Sequence, residues 1–165
     1  MRKAWIWVVV LLLSLALTAC GSGSPSGSDT TGTSSANKSE QVGEGTLDKY
    51  AVKFTGAALA KDYDGNDVII ISYDFTNNSE ENASAMISLL VTAFQDGVEL
   101  EHAYFIDAPD GYNSDNQMKD LKTGATLNCQ EAYILSNTTS PVEVEAKASF
   151  SLSSDKVIET YQIAE

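Results

Sequence analysis

Few residues in this chain have the chemistry to bond, bind or cleave. There are two cysteines, Cys20 and Cys129, and one histidine, His102. Lone His102 follows Glu99 and Glu101, and no second His stands by to complete a zinc cluster or a His-based catalytic set. On this spacing it reads as a surface residue beside acids. Cys129 alternates with Leu127 and Tyr133, which makes it a buried small hydrophobe. Asp62, Asp64 and Asp67 crowd one turn, and clustered carboxylates are what a calcium ion takes. Counted from Asp62, however, an EF-hand would need Gly at position six and Glu at twelve, where Asp67 and Tyr73 stand. The favoured reading of Asp62-Tyr63-Asp64-Gly65-Asn66 is a hairpin turn, with calcium as its alternative. Glu99/Glu101 and Glu143/Glu145 lie two apart, so each pair shares one face of a strand. A glycosidase needs two carboxyls roughly 5–10 Å apart, but plain solvent-facing alternation accounts for both pairs. There is no Gly-x-Ser-x-Gly elbow and no Gly-rich phosphate loop. The expectation is that the protein is not an enzyme and needs no cofactor.

Cys20 is different, because its surroundings are specific. Arg2 and Lys3 precede an apolar run from Ala4 to Leu17, broken only by Ser14. That run suits a signal-peptide core and falls short of the ~20 residues that span a bilayer. Leu17-Thr18-Ala19-Cys20 follows, then Gly21. This resembles the lipobox of bacterial lipoproteins. The resemblance implies a diacylglyceryl group on the Cys20 thiol and cleavage between Ala19 and Cys20. Two acyl chains anchor stably where one binds marginally, since each buried CH₂ contributes ~0.8 kcal/mol. The expected partner is therefore the membrane, through its outer face, with the domain extracellular.

Cleavage changes the composition. The whole chain has 165 residues and a net charge of −13. Loss of Arg2 and Lys3 leaves eight of ten basic residues, all Lys, against all 23 acids, a charge of −15. Such a surface excludes nucleic acid, whose phosphates need a basic footprint. The absence of Arg also weakens any phosphate or sulfate site.

Three segments follow: 1–19 as signal peptide, 20–46 as lipidated Cys and flexible tether, and 47–165 as one folded domain. The tether is Gly, Ser, Thr and Asn, too polar to offset its ordering entropy. Beyond it the pattern is β. Strands are expected at residues 50–55, 67–77, 85–94, 98–100, 126–135, 142–150 and 157–163. Gln95-Asp96-Gly97 marks a hairpin. Seven short strands in about 115 residues predict an all-β, antiparallel, immunoglobulin-like sandwich. The longest irregular stretch, 106–119, holds Asp107, Asp110, Tyr112 and Asp115. It is the first place to seek a binding loop.

Several phrases recur in order: Tyr50-x-Val52-x-Phe54, Lys61-Asp62-Tyr63-Asp64-Gly65-Asn66, Tyr73-Asp74-Phe75-Thr76-Asn77, Phe94-Gln95-Asp96-Gly97-Val98 and Ser140-Pro141-Val142-Glu143. The series resembles a domain-of-unknown-function family of Gram-positive lipoproteins, each a lipobox, a polar linker and one immunoglobulin-like β-sandwich. Lys122-Thr123-Gly124 departs from the Lys-Pro-Gly turn that family suggests. The resemblance implies a fold and an anchor and brings no catalytic or ligand residues. Function is then expected to be binding of a protein, peptide or envelope component. The alternatives are a small metal- or ligand-binding lipoprotein serving a transporter or sensor, and a plain spacer.

Overall fold

The computed structural model describes residues 40–163. Among the described residues nine strands form two sheets: β1 (Glu40–Val42), β2 (Glu44–Leu47), β3 (Tyr50–Lys61), β4 (Asp67–Asn77), β5 (Leu89–Gln95), β6 (Val98–Glu99), β7 (Thr126–Ile134), β8 (Val142–Ala148) and β9 (Lys156–Tyr161). One sheet has the order β1-β9-β8-β5-β6 and the other β2-β3-β4-β7. All pairings are antiparallel except β1 with β9. This is the β-sandwich expected from the alternation, and β4 spans the residues predicted for it.

The core lies between the sheets. Ile69, Ile71, Tyr73 and Phe75 of β4 face Val91 and Ala93 of β5 and Val142, Val144 and Ala146 of β8 across one buried cluster. A strand that alternates with period two must present such a stripe to one side. A second, smaller cluster lies on the outer face of the four-stranded sheet. There Val68, Ile70 and Ala132 meet Ala103, with Phe105 and Tyr112 packed over them. Strand β4 is thus covered on both faces over its first half, which explains the four consecutive buried residues Val68 to Ile71; beyond them burial alternates.

Four expectations need correction. The tether does not run to residue 46, because Glu40–Val42 and Glu44–Leu47 are already strands. They are mostly polar edge strands, held by ladders to β9 and β3, with Leu47 of β2 alone among their side chains buried in the core. Gln41 ties one to the other, donating to the Thr46 carbonyl and accepting from its N–H, both at 3.1 Å. Ala85–Ser88 is a single helical turn and only Leu89–Gln95 is strand. The Ser88 N–H reaches the Ser84 carbonyl at 3.0 Å and closes that turn, which we label α1. Strand β8 ends at Ala148, two residues short of the strand expected at 142–150, and Phe150 is exposed. Glu145, read as solvent-facing, is buried. Lys147 lies 2.6 Å from its carboxylate on one side and Lys156 packs against it on the other.

The β5–β6 turn is the expected one. Asp96 and Gly97 both have positive φ, at 52° and 78°, the two-residue geometry that matches strand twist. Just before it, buried Gln95 donates to the carbonyls of Asn137 and Ser140 and accepts from the N–H groups of Ser136 and Asn137. Nothing lies within 4 Å of where a Gly97 Cβ would stand. Gly97→Ala therefore meets conformational cost alone, and we expect it to lower stability by about 1 kcal/mol in urea titration.

Candidate functional site

Strand β7 carries the residue that organises the site. Its inward stripe runs Leu127, Cys129, Glu131, Tyr133, Leu135. Four of these five are apolar or aromatic, and Glu131 sits in their midst. The Glu131 side chain is only 11% exposed. Two phenols hold it. The Tyr73 hydroxyl, from β4, donates to Oε1 at 2.8 Å, and the Tyr133 hydroxyl lies 2.9 Å from Oε2. Tyr133 also donates to the Val91 carbonyl at 3.0 Å. A phenol has one proton, and it cannot serve two acceptors fully. The Tyr133 hydroxyl hydrogen is therefore shared between the Glu131 carboxyl and the Val91 carbonyl. Burial pushes the Glu131 carboxyl above the usual carboxylate range, against the opposing effects of Tyr73, Tyr133 and His102. Burial likewise pushes both tyrosines far up, so they stay neutral donors.

The chain leaving β6 builds the wall of the site. It runs along the open edge of β7, where the Ala103 N–H meets the Ala132 carbonyl and the Ile134 N–H meets the Glu101 carbonyl, each at 2.8 Å. This places His102 over the buried acid. Its ring lies on Tyr133, with centroids 4.7 Å apart, and Nδ1 is 4.0 Å from Glu131 Oε2. His102 was read as a surface residue. It is half exposed, but its inner edge belongs to the site.

The 106–119 loop closes the other side. Phe105 and Tyr112 pack edge to face at 5.0 Å. A 3-10 turn at Ser114–Met118 follows, with the Asn113 side chain accepting from the Asp115 N–H. Two bonds of 2.9 Å fasten this segment to β7: the Asn113 N–H donates to Gln130 Oε1, and Asn116 Nδ2 donates to the Asn128 carbonyl. The loop is therefore tied down in register with the strand that carries Glu131.

Between loop and strand lies a groove of about 530 Å³. Glu131 and His102 line it, with Tyr104, Phe105, Tyr112 and Asp115 on the walls and Met86 and Met118 at the rim. It is lined by two acids and by no Lys or Arg. Tyr104 is 78% exposed and the two methionines more than half. Of the four loop residues singled out from sequence, Tyr112 and Asp115 line the groove, whereas Asp107 and Asp110 are exposed outside it.

The acidic turn is elsewhere and is made differently. Asp62 accepts from the N–H groups of Asp64 and Asn66 on Oδ1 and from Asn66 Nδ2 on Oδ2. The Asn66 side chain, with these backbone donors, holds the Asp62 carboxyl below its usual range. Asp67 faces Lys61 at 2.6 Å. The calcium alternative for Asp62, Asp64 and Asp67 thus lacks convergent oxygens, because the first is spent on the turn and the third on a lysine. Among the described residues no three His, Cys, Asp or Glu gather as they would around a metal ion. Cys129 is fully buried, and burial pushes its thiol up to about 12, which leaves it inert. Cys20 and the Ala19–Cys20 junction lie outside the described residues.

Sequence reasoning missed Glu131, and with it Tyr73 as a partner. The signal was present: a carboxylate in the middle of Leu-x-Cys-x-Glu-x-Tyr-x-Leu breaks an inward stripe where charge is costly.

Comparison with solved structures gives the fold independent support. A protein from Enterococcus faecalis matches at 20% identity and a TM-score of 0.56, over 74% of this chain and 90% of that one. A "putative lipoprotein" from Staphylococcus aureus matches at 14% identity and 0.54, over 70% and 85%. An uncharacterized β-sandwich protein from Clostridium difficile 630 matches at 11% identity and 0.53, over 76% and 96%. No functionally curated protein matches the chain. At these identities the likeness is one of fold. A family model, the domain of unknown function DUF5067, matches residues 24–148 and so takes in strands β1 to β8, the groove and Glu131, with β9 beyond it. A two-sheet sandwich with this match, and with neighbours of this kind in Gram-positive bacteria, is a member of the DUF5067 family.

Proposed function

We propose that this protein is a lipid-anchored, non-catalytic binding protein of the outer membrane face, and that it holds a protein, peptide or envelope partner in the groove beside β7. The observation that carries this reading is the groove itself. It is lined by exposed aromatic and methionine side chains over a desolvated carboxyl, on a loop fastened to the sheet. A perturbed titratable group in a concave, partly apolar site is the physical signature of a candidate binding site. The anchor rests on Leu17-Thr18-Ala19-Cys20, and a fold neighbour described as a "putative lipoprotein" is consistent with it. A tether of some twenty residues gives a flexible coil a root-mean-square reach of roughly 25 Å, enough to lift the groove clear of lipid headgroups.

Site-specific photo-crosslinking on intact cells tests this. A benzophenone side chain at Tyr104, on the groove rim, is expected to capture a discrete adduct. The same group at Phe150, exposed and outside the groove, is expected to give none. Equal labelling from both positions, or none from Tyr104, would overturn the proposal.

A further inference from the structure

The groove has walls suited to one kind of chemical group. The two acids that line it are Glu131, whose side chain is only 11% exposed, and Asp115. A buried carboxylate is costly until a fixed cation sits beside it. His102, half exposed and 4.0 Å away, is the sole basic side chain lining the groove. The other walls include three aromatic rings and two thioethers, beside Asn113, Ser114 and Gln117; rings and thioethers take an aliphatic stem and stabilise a cation over a ring. Anions find no Lys or Arg there. The mature chain as a whole is strongly negative and draws positive ligands to it.

We propose that the groove accepts a lysine or arginine side chain of an extended peptide segment, its charged head bound by Glu131 and its stem lying against Tyr112 and the methionine rim. This rests on the groove being the binding site, and it names the chemistry of what enters. The charged head binds the ionised form of the Glu131 carboxyl, which burial disfavours in the empty groove, so binding draws that carboxyl toward ionisation. The groups facing Glu131 are Tyr73 from β4, Tyr133 from β7 and His102 from the segment after β6, with Tyr112 from the loop beyond. None of the three phenols carries charge at neutral pH.

Calorimetric titration of the mature chain, made with Cys20→Ala to keep it soluble, tests the assignment. The probes are a capped Gly-Ser-Lys-Ser-Gly peptide, its norleucine counterpart and n-butylammonium. The lysine peptide is expected to bind about tenfold or more tightly than the norleucine peptide, the size of a charge-assisted bond in a desolvated site. Glu131→Gln is expected to bring the two peptides within about twofold. In the unsubstituted groove, affinity for lysine is expected to rise from pH 5 to pH 8. Equal binding of both peptides, or a lysine preference that survives Glu131→Gln, would overturn the cation assignment while leaving the groove a binding site. Butylammonium binding as tightly as the peptide would overturn the peptide source. A groove that binds no probe here and yields no adduct from Tyr104 on cells would remove both readings. A near-ultraviolet dichroism spectrum unchanged by Glu131→Gln shows that the core tyrosines are still packed.

Discussion

Cys20→Ala is expected to move the protein from the membrane fraction to the medium almost completely and to abolish incorporation of labelled palmitate. No other single substitution should have so large an effect on where the protein is found. The argument is one of free energy per methylene. Each acyl chain buries more than a dozen CH₂ groups at ~0.8 kcal/mol apiece, and two together anchor effectively permanently. Nothing in the tether compensates, because residues 21–39 hold one Lys and no large apolar residue. The folded sandwich has a strongly acidic surface that anionic lipid repels. Retention of Cys20→Ala at the membrane, with palmitate label still present, would show that the thiol is not the attachment point.

The second large effect belongs to Glu131, and it separates into charge and hydrogen bonding. Glu131→Ala removes the acceptor of the buried Tyr73 hydroxyl and empties a space in the stripe. We expect a loss of about 1–3 kcal/mol in chemical denaturation, part of it recovered when Tyr73→Phe is added. Tyr133 keeps its Val91 carbonyl and is the less sensitive partner. Glu131→Gln keeps the shape and removes the titration. Because burial raises the folded-state pKa of Glu131 above its unfolded value, the folded protein holds the proton more tightly. This contribution to stability is fully present below the unfolded carboxyl pKa of about 4.3 and is lost as pH rises through the folded value. Glu131→Gln should accordingly melt higher than the unsubstituted protein at pH 8, with the difference closing toward pH 4.5. A difference that stays constant across this range would place the proton elsewhere.

Much of the fold was legible because period-two alternation is strong wherever one face is buried. Strand β4, with Ile69, Ile71, Tyr73 and Phe75 on one side, and the Asp96-Gly97 turn are the clearest cases. Strands β1 and β2 were hidden because, apart from Leu47, they bury almost nothing of their own. Glu40, Gln41 and Thr46 join the sheets through backbone ladders, and composition does not report those. The 85–88 segment was hidden for another reason. A short apolar run fits a strand or one helical turn equally well, and the i, i+3 burial of Ala85 and Ser88 decides it only once the structure is seen.

The site was half visible. The 106–119 loop stood out by length and by its Asp, Asn and aromatic content, and Tyr112 and Asp115 do line the groove. Glu131 was overlooked because its stripe was read from its apolar members. The two phenols that make a buried acid tolerable come from β7 itself and from β4, 58 residues away in sequence. Alternation puts each on an inner face and cannot say that they meet. His102 shows the same limit. The acids preceding it, Glu99 and Glu101, suggested a solvent face, whereas the pairing of Ala103 with Ala132 turns it toward Glu131.

The central claim is that Glu131 makes the groove a place where the anchored protein holds its partner. It is tested most directly by crosslinking from Tyr104 on intact cells, with Glu131 present and with Glu131→Gln, at equal surface levels of the two proteins. We predict an adduct in the first case and its loss in the second. An adduct of undiminished yield from the Gln variant would contradict the account.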